Sequence, residues 1–234
     1  MIYSPHPVRK ARTLPHAQRG FTIVELSVAV AIAGVLLVSA IALVQVVLRQ
    51  TRTNDLVSSI PRTMTQIDKM YARVAEFTGL NTQVAIGVGA FDGAFDITGP
   101  ANARVATHRF GYQTLARSTN AFRPGAGNGG TAYSVMYSGI PRAACADVVS
   151  SAAASGVLGL IVAPEGVVGT PAFTEANAAA LTMPMFDGTG TAPPAGVMVK
   201  GTDNNSRLDV AAMSAGTACG TNNDTVTIAM VNWK

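Results

Sequence analysis

Residues 19–48 read RGFTIVELSVAVAIAGVLLVSAIALVQVVL. From Leu26 to Leu48 there are 23 residues without one charge. As a helix rising 1.5 Å per residue they cover roughly 34 Å, enough to cross a bilayer. Ser27, Ser39 and Gln45 are the few polar interruptions, and Ala29, Ala33, Gly34 and Ala40 smooth one flank. Small residues in such a segment suit close approach of a second helix. Glu25 stands near the head of the apolar run, where an ionisable side chain is costly unless it has a partner.

What precedes this segment is of opposite character. Residues 1–20, MIYSPHPVRKARTLPHAQRG, hold three prolines and four basic residues, Arg9, Lys10, Arg12 and Arg19, with no acid. The prolines argue against a helix there. The charge before the apolar run predicts a cytoplasmic N-terminus and a translocated C-terminal region. A secretory signal carries only 7–15 apolar residues before its cleavage site, so this run is too long, although Ala40-Ile41-Ala42 mimics such a site. Uncleaved anchoring is the plain alternative. The leader also explains the net charge of +4: without it, 13 Lys and Arg face 13 Asp and Glu. The remainder has no electrostatic footprint for nucleic acid. With 48% hydrophobic and 13% charged residues, the 234-residue chain is no disordered polar polymer.

Arg19-Gly20-Phe21-Thr22-Ile23-Val24-Glu25-Leu26 resembles the processing site of type IV prepilins and related pseudopilins. The resemblance implies cleavage between Gly20 and Phe21 by a dedicated membrane peptidase and N-methylation of Phe21. It also implies retention of the apolar segment. Glu25 then matches the family's glutamate at the fifth mature position. It is expected to neutralise the Phe21 amine of an adjacent subunit, because a buried pair with one member missing costs several kcal/mol. A glutamate snorkelling at the interface, or contacting its own amine, is the alternative.

Beyond the apolar run, Leu56, Ile60, Met64, Ile67, Met70 (or Tyr71) and Val74 recur at spacings of three and four. That is an amphipathic stripe. A helix is therefore expected from about Ile23 to Phe77, within a segment 21–78, with Gly79 as its stop. Gly34 and Pro61 are its expected points of flexibility, Pro61 by bending the helix or interrupting its hydrogen bonds. Family filaments can unwind near the glycine matching Gly34. Many pilins carry a proline eight residues later, where this chain has Ala42.

The globular region, 79–234, is expected to be α+β. Residues 80–130 read as a loop-rich connection with one or two short strands, one around Arg109–Leu115. Strands are expected at 132–137, 156–163 and 224–233. Helices are expected at 143–154, at 171–181 (with Thr170 as N-cap) and at 209–218. Cys145 and Cys219, the two cysteines, fit neither metal-motif nor redox spacing. One disulfide in an oxidising compartment is the economical reading, two buried thiols the alternative. YSVMYSGIPRAACADVVSSA, followed by a late Cys219 and a terminal strand, resembles the type IVb branch. There the two cysteines are bonded and tie down the C-terminal region. The 20-residue leader also fits type IVb, while Phe21 departs from the branch's usual first residue.

Catalytic patterns are weak. Gly125-Ala126-Gly127-Asn128-Gly129-Gly130 satisfies GxGxxG, but it follows Arg123-Pro124 rather than an apolar strand and leads into a strand-like segment. His6 and His16 lie in the leader, leaving His108 alone, too few for a histidine metal site. No GxSxG marks a nucleophile. Asp92 and Asp96 read as surface carboxylates, and 203–205 and 222–224 as turns. No enzyme, metal or cofactor is expected. The resemblance implies instead a single-pass precursor in the bacterial inner membrane and a helical homopolymer outside the cell, serving adhesion, aggregation or conjugation. Its implied partners are further copies, the prepilin peptidase, a platform protein and an assembly ATPase. A minor pilin, a pseudopilin of type II secretion, or a tip adhesin are the alternatives, as is an anchored periplasmic protein that does not polymerise.

Overall fold

The computed structural model describes residues 20–119, 132–164, 196–201, 207–220 and 224–233. The leader before Gly20, the glycine-rich 125–130, the expected helix at 171–181, and the turns at 203–205 and 222–223 lie outside the described residues. The chain divides into two units, Met1–Val46 and Val47–Lys234, and each is treated by itself.

The first unit is the N-terminal part of helix α1, Ile23–Met70. Every residue from Gly20 to Val46 is exposed. Apolar side chains point outward on all sides, so no amphipathic face exists here. The helix is long and apolar enough to cross a membrane.

In the second unit the same helix becomes amphipathic. Leu56, Ile60, Met64 and Ile67 are buried, as the spacing predicts, and Tyr71 rather than Met70 completes the stripe. Pro61 sits inside the helix without ending it. It has no N–H to donate to the preceding turn. One turn on, the Thr65 hydroxyl donates to the Pro61 carbonyl at 2.7 Å.

The helix ends at Met70, not at Phe77 as expected. Val74 fits the periodic pattern yet lies exposed, while Phe77, three residues on, is fully buried. The chain leaves the helix through turns that bring the Phe77 ring against Tyr71 (5.3 Å) and edge-on to Tyr133 (4.6 Å). Burying a Phe side chain is worth roughly 1.5–3 kcal/mol, more than the helical bonds of a fraying last turn. Gly79, at φ +83°, then turns the chain.

The region after Gly79 holds more structure than its sequence suggests. A short helix α2, Thr82–Gly87, is N-capped by Asn81, whose side chain accepts from the Val84 N–H at 2.9 Å. Three strands follow: β1 Asp96–Thr98, β2 Val105–Thr107 and β3 Gln113–Thr119, the last shifted from the expected Arg109–Leu115. Gln83 ties α2 to the chain entering β2, donating to the Arg104 carbonyl (2.6 Å) and accepting from the Arg104 N–H (3.0 Å).

Next come β4 Ala132–Pro141, α3 Arg142–Ala154, β5 Gly159–Pro164, β6 Val197–Lys200, α4 Val210–Met213 and β7 Thr225–Trp233. Among the described residues these strands form one sheet of seven, ordered β1-β2-β3-β4-β7-β5-β6. Every pairing is antiparallel. The C-terminal strand β7 is inserted between β4 and β5, which α3 connects. The expected 209–218 helix shrinks to one turn capped by the Asp209 carboxylate, which accepts from the Ala212 N–H at 2.9 Å. Strand β5 starts at Gly159 rather than 156, because Gly156, at φ +83°, closes the C-terminus of α3.

One face of the sheet presents Tyr133, Val135, Tyr137, Ile228 and Met230 to a core shared with the α1 stripe and α3. Thr63 of α1 donates to the Ala90 carbonyl at 3.0 Å, a buried bond fixing the helix to the segment before β1.

Candidate functional site

The residues singled out from the sequence fall into three places. At the head of α1, Gly20 and Phe21 are outside the helix and exposed. Thr22 is the boundary residue: its hydroxyl oxygen accepts from the Glu25 N–H at 3.2 Å, and its carbonyl accepts from the Leu26 N–H at 3.1 Å. Glu25 lies in the first turn. A carboxylate at that position is favoured by the partial positive charge of the helix start.

Along the apolar stretch, both serine hydroxyls are satisfied within the helix. Ser27 donates to the Val24 carbonyl (2.8 Å) and Ser39 to the Leu36 carbonyl (2.9 Å). This lets hydroxyls sit in an apolar environment without an external partner. The helix runs unbroken through Gly34, where an added Cβ would meet open space. The only covalent cross-link among the described residues joins Cys145, on α3, to Cys219, after α4, with Cα atoms 5.5 Å apart. It fixes the segment that leads into β7 to the helix that leaves β4.

Chemistry elsewhere is sparse. A shallow cleft of about 240 Å³ is lined by Asp55, Ser58, Ser59, Arg62, Gly93, Ala94 and Arg109. Arg109 pairs with Asp96 at 3.4 Å, with both groups largely exposed, an arrangement worth little. Among the described residues no group of three or more His, Cys, Asp or Glu is gathered for a metal.

His108 has a place its sequence did not announce. It is fully buried between β2 and β3, with one ring nitrogen, Nε2, 2.7 Å from the Ser138 carbonyl. The other, Nδ1, accepts from the Phe110 N–H at 3.3 Å. This fixes a neutral ring that donates from Nε2. Burial pushes its pKa down to about 4, against a smaller upward pull from the Ser138 carbonyl. Lys200 on β6 closes the end of α3, donating to the Ala153 (3.3 Å) and Val157 (2.6 Å) carbonyls. Partial burial lowers its pKa.

Residues 15–41 match the family model described as the prokaryotic N-terminal methylation motif. The match includes Gly20, Phe21 and Glu25 and most of the apolar run. Among solved structures the chain is similar to a type IV b pilin from Salmonella typhi. Identity there is 18%, covering 76% of this chain and 97% of that one, at a TM-score of 0.45. It is also similar to TcpA, a type IV pilin from Vibrio cholerae El Tor biotype. In that case identity is 15%, covering 78% and 99%, at a TM-score of 0.46. No curated protein matches the chain in sequence. The chain thus carries an N-terminal methylation motif at the head of an exposed apolar helix, joined to an α+β domain with one disulfide.

Proposed function

We propose that the protein is a structural subunit of a type IV pilus. The observation that carries this reading is a membrane-length apolar helix with every side chain exposed, headed by the methylation motif. A soluble monomer would not leave so much contiguous apolar surface in water. Lipid covers it in the precursor, and the helices of other copies cover it in the filament.

In this reading the leader, residues 1–20, is cut off between Gly20 and Phe21 by a prepilin peptidase, and the Phe21 amine is methylated. Residues 21–48 are the membrane and filament-core segment, and the globular region forms the outer shell. A platform protein and an assembly ATPase move subunits from the inner membrane to the extracellular filament, which serves adhesion, aggregation or conjugation. Gly34 and Pro61 are the points at which the helix yields. Serine hydroxyls bonded inside the helix, and alanines on its flank, let neighbouring helices approach. Glu25 supplies the charge that selects the register, by pairing with the Phe21 amine of an adjacent subunit.

N-terminal sequencing and mass measurement on protein from sheared surface fibres test the reading. The expected chain starts at Phe21 and carries one extra methyl group. A chain in the membrane that still begins with its leader, and fibres without it, would refute the proposal. Glu25→Ala is expected to be cleaved normally yet to give few fibres, scored by immunoblot of the sheared fraction; wild-type fibre yield would remove Glu25 from assembly.

A further inference from the structure

The proposed cleavage raises a conformational problem. A peptidase hydrolyses a peptide bond it can draw out in extended form, whereas a peptide inside a helix has its polar groups bonded within the helix. Residues 16–19, between Pro15 and Gly20, contain no proline, so nothing in their sequence forbids the helix from growing backward over the Gly20–Phe21 bond. Gly20 opposes such growth only by its low helix propensity.

In the structure the helix does not reach that bond. Helix α1 starts at Ile23, two residues after the scissile bond. Thr22 holds that start through two bonds. Its hydroxyl takes the Glu25 N–H at 3.2 Å, and its carbonyl takes the Leu26 N–H at 3.1 Å. Thr22-Ile23-Val24-Glu25 is also the S/T-x-x-E pattern that marks helix N-termini. Gly20 and Phe21 stay outside the helix and exposed.

We infer that Thr22 is a positioning residue for processing: its side chain fixes the helix start so that the Gly20–Phe21 peptide stays outside the helix and open to the peptidase. The inference rests on the proposed cleavage. Hydrolysis there breaks the Gly20 carbonyl carbon–Phe21 nitrogen bond, with water supplying the new carboxylate oxygen of Gly20 and a proton to the Phe21 amine. Thr22 takes no part in that bond exchange and acts only on the shape of the substrate. Its role is separate from that of Glu25, because the capped group is the Glu25 backbone N–H, which every substitution of Glu25 except proline retains.

The test follows conversion of the full-length precursor to the mature chain in membranes containing the peptidase. Thr22→Val keeps the branched shape and removes the hydroxyl. It is expected to slow cleavage, by up to about fivefold, from the usual worth of an N-cap. Thr22→Ser and Thr22→Asn both keep a capping oxygen and should cleave at close to the wild-type rate. A role in packing alone would not be rescued by both. If the wild type is cut after Gly20 and Thr22→Val is cut equally fast, or if the Ser and Asn variants are as slow as Val, the inference fails while the pilin reading stands. If the wild-type precursor is not cut at Gly20–Phe21, both fall.

Discussion

Helix α1 holds two regions that share a backbone and differ in where their apolar side chains go. Between Leu26 and Leu48 nearly every residue is apolar, and Val35, Leu36, Leu37 and Val38 are each more than half exposed. Between Thr53 and Tyr71 large apolar residues are sparser, yet Leu56, Ile60, Met64, Ile67 and Tyr71, spaced three or four apart, are all buried. The richer region is the one the chain leaves unsatisfied. Apolar content therefore says little about which part of a helix holds a fold together; the match between its pattern and a facing surface does. The amphipathic part is covered within one chain, and the uniformly apolar part is not.

The sharpest way to break this contrast is a charge in the unsatisfied region. Leu36→Asp places a carboxylate mid-way along it, at a cost of roughly 2.5–3.5 kcal/mol for bilayer insertion and with no partner in a filament core. Fibres are expected to vanish, while the thermal midpoint of the globular region stays where it was. Normal fibres would mean that this region is not the polymer's core. The next effect lies in the globular region. Opening the Cys145–Cys219 link, which closes a loop of 74 residues, should cost about 4 kcal/mol by the loop-entropy relation. Denaturant unfolding of a Cys145→Ser, Cys219→Ser double variant measures it; a loss below about 1 kcal/mol would mean that the loop is held as firmly by other contacts.

The two regions are not equally legible in the sequence. The apolar segment, its Gly20-Phe21 head and Glu25 stand out because an uncharged run of that length is stable only in lipid or packed among other apolar helices. The stripe through Ile67 follows from spacing alone. Its end does not, because Val74 satisfies the same spacing, and only the tertiary competition for Phe77 shows that the helix stops at Met70. Over 80–119 the sequence understates the structure. Strands of three residues are too short to display alternation, and α2 is held by the Asn81 cap and the Gln83–Arg104 clamp, of which only the cap has a local signature. Two cysteines make one pairing an easy expectation, whereas a lone histidine carries no mark of burial. The signal for His108 lies in its surroundings. Strand β4 extends to Pro141 through an irregularity between Tyr137 and Ile140, where Gly139, at φ +60°, accepts the Tyr112 ring against its backbone. The Thr22 cap has a visible pattern, Thr-x-x-Glu, but the charge of Glu25 hides the fact that its N–H is the capped group.

Within the satisfied region, Ile67→Ala sharpens the comparison. Ile67 is fully buried in the stripe, and its truncation should cost about 3 kcal/mol, read as a lower denaturant midpoint at unchanged slope. The same change at Ile32, in the exposed region, should leave that midpoint in place.

The smallest effect concerns pH. His108 is held neutral between the Ser138 carbonyl and the Phe110 N–H, with the Tyr137 ring 6.3 Å away and the neighbouring Arg109 turned to Asp96. Its pKa is about 4 in the fold against an ordinary 6.5. Between these values the unfolded chain binds the proton and the folded chain does not, so stability falls with falling pH. The contribution of His108 is fully present above pH 6.5, declines by about 2 kcal/mol at pH 5 and is lost below pH 4. His108→Gln offers an amide donor for the Ser138 carbonyl without a titrating ring. The difference in unfolding free energy between wild type and variant should therefore shrink steadily from pH 7 to pH 5. A difference that holds constant over that range would show that the imidazole takes up its proton as readily in the fold as in the unfolded chain, and that its two hydrogen bonds do not keep it neutral.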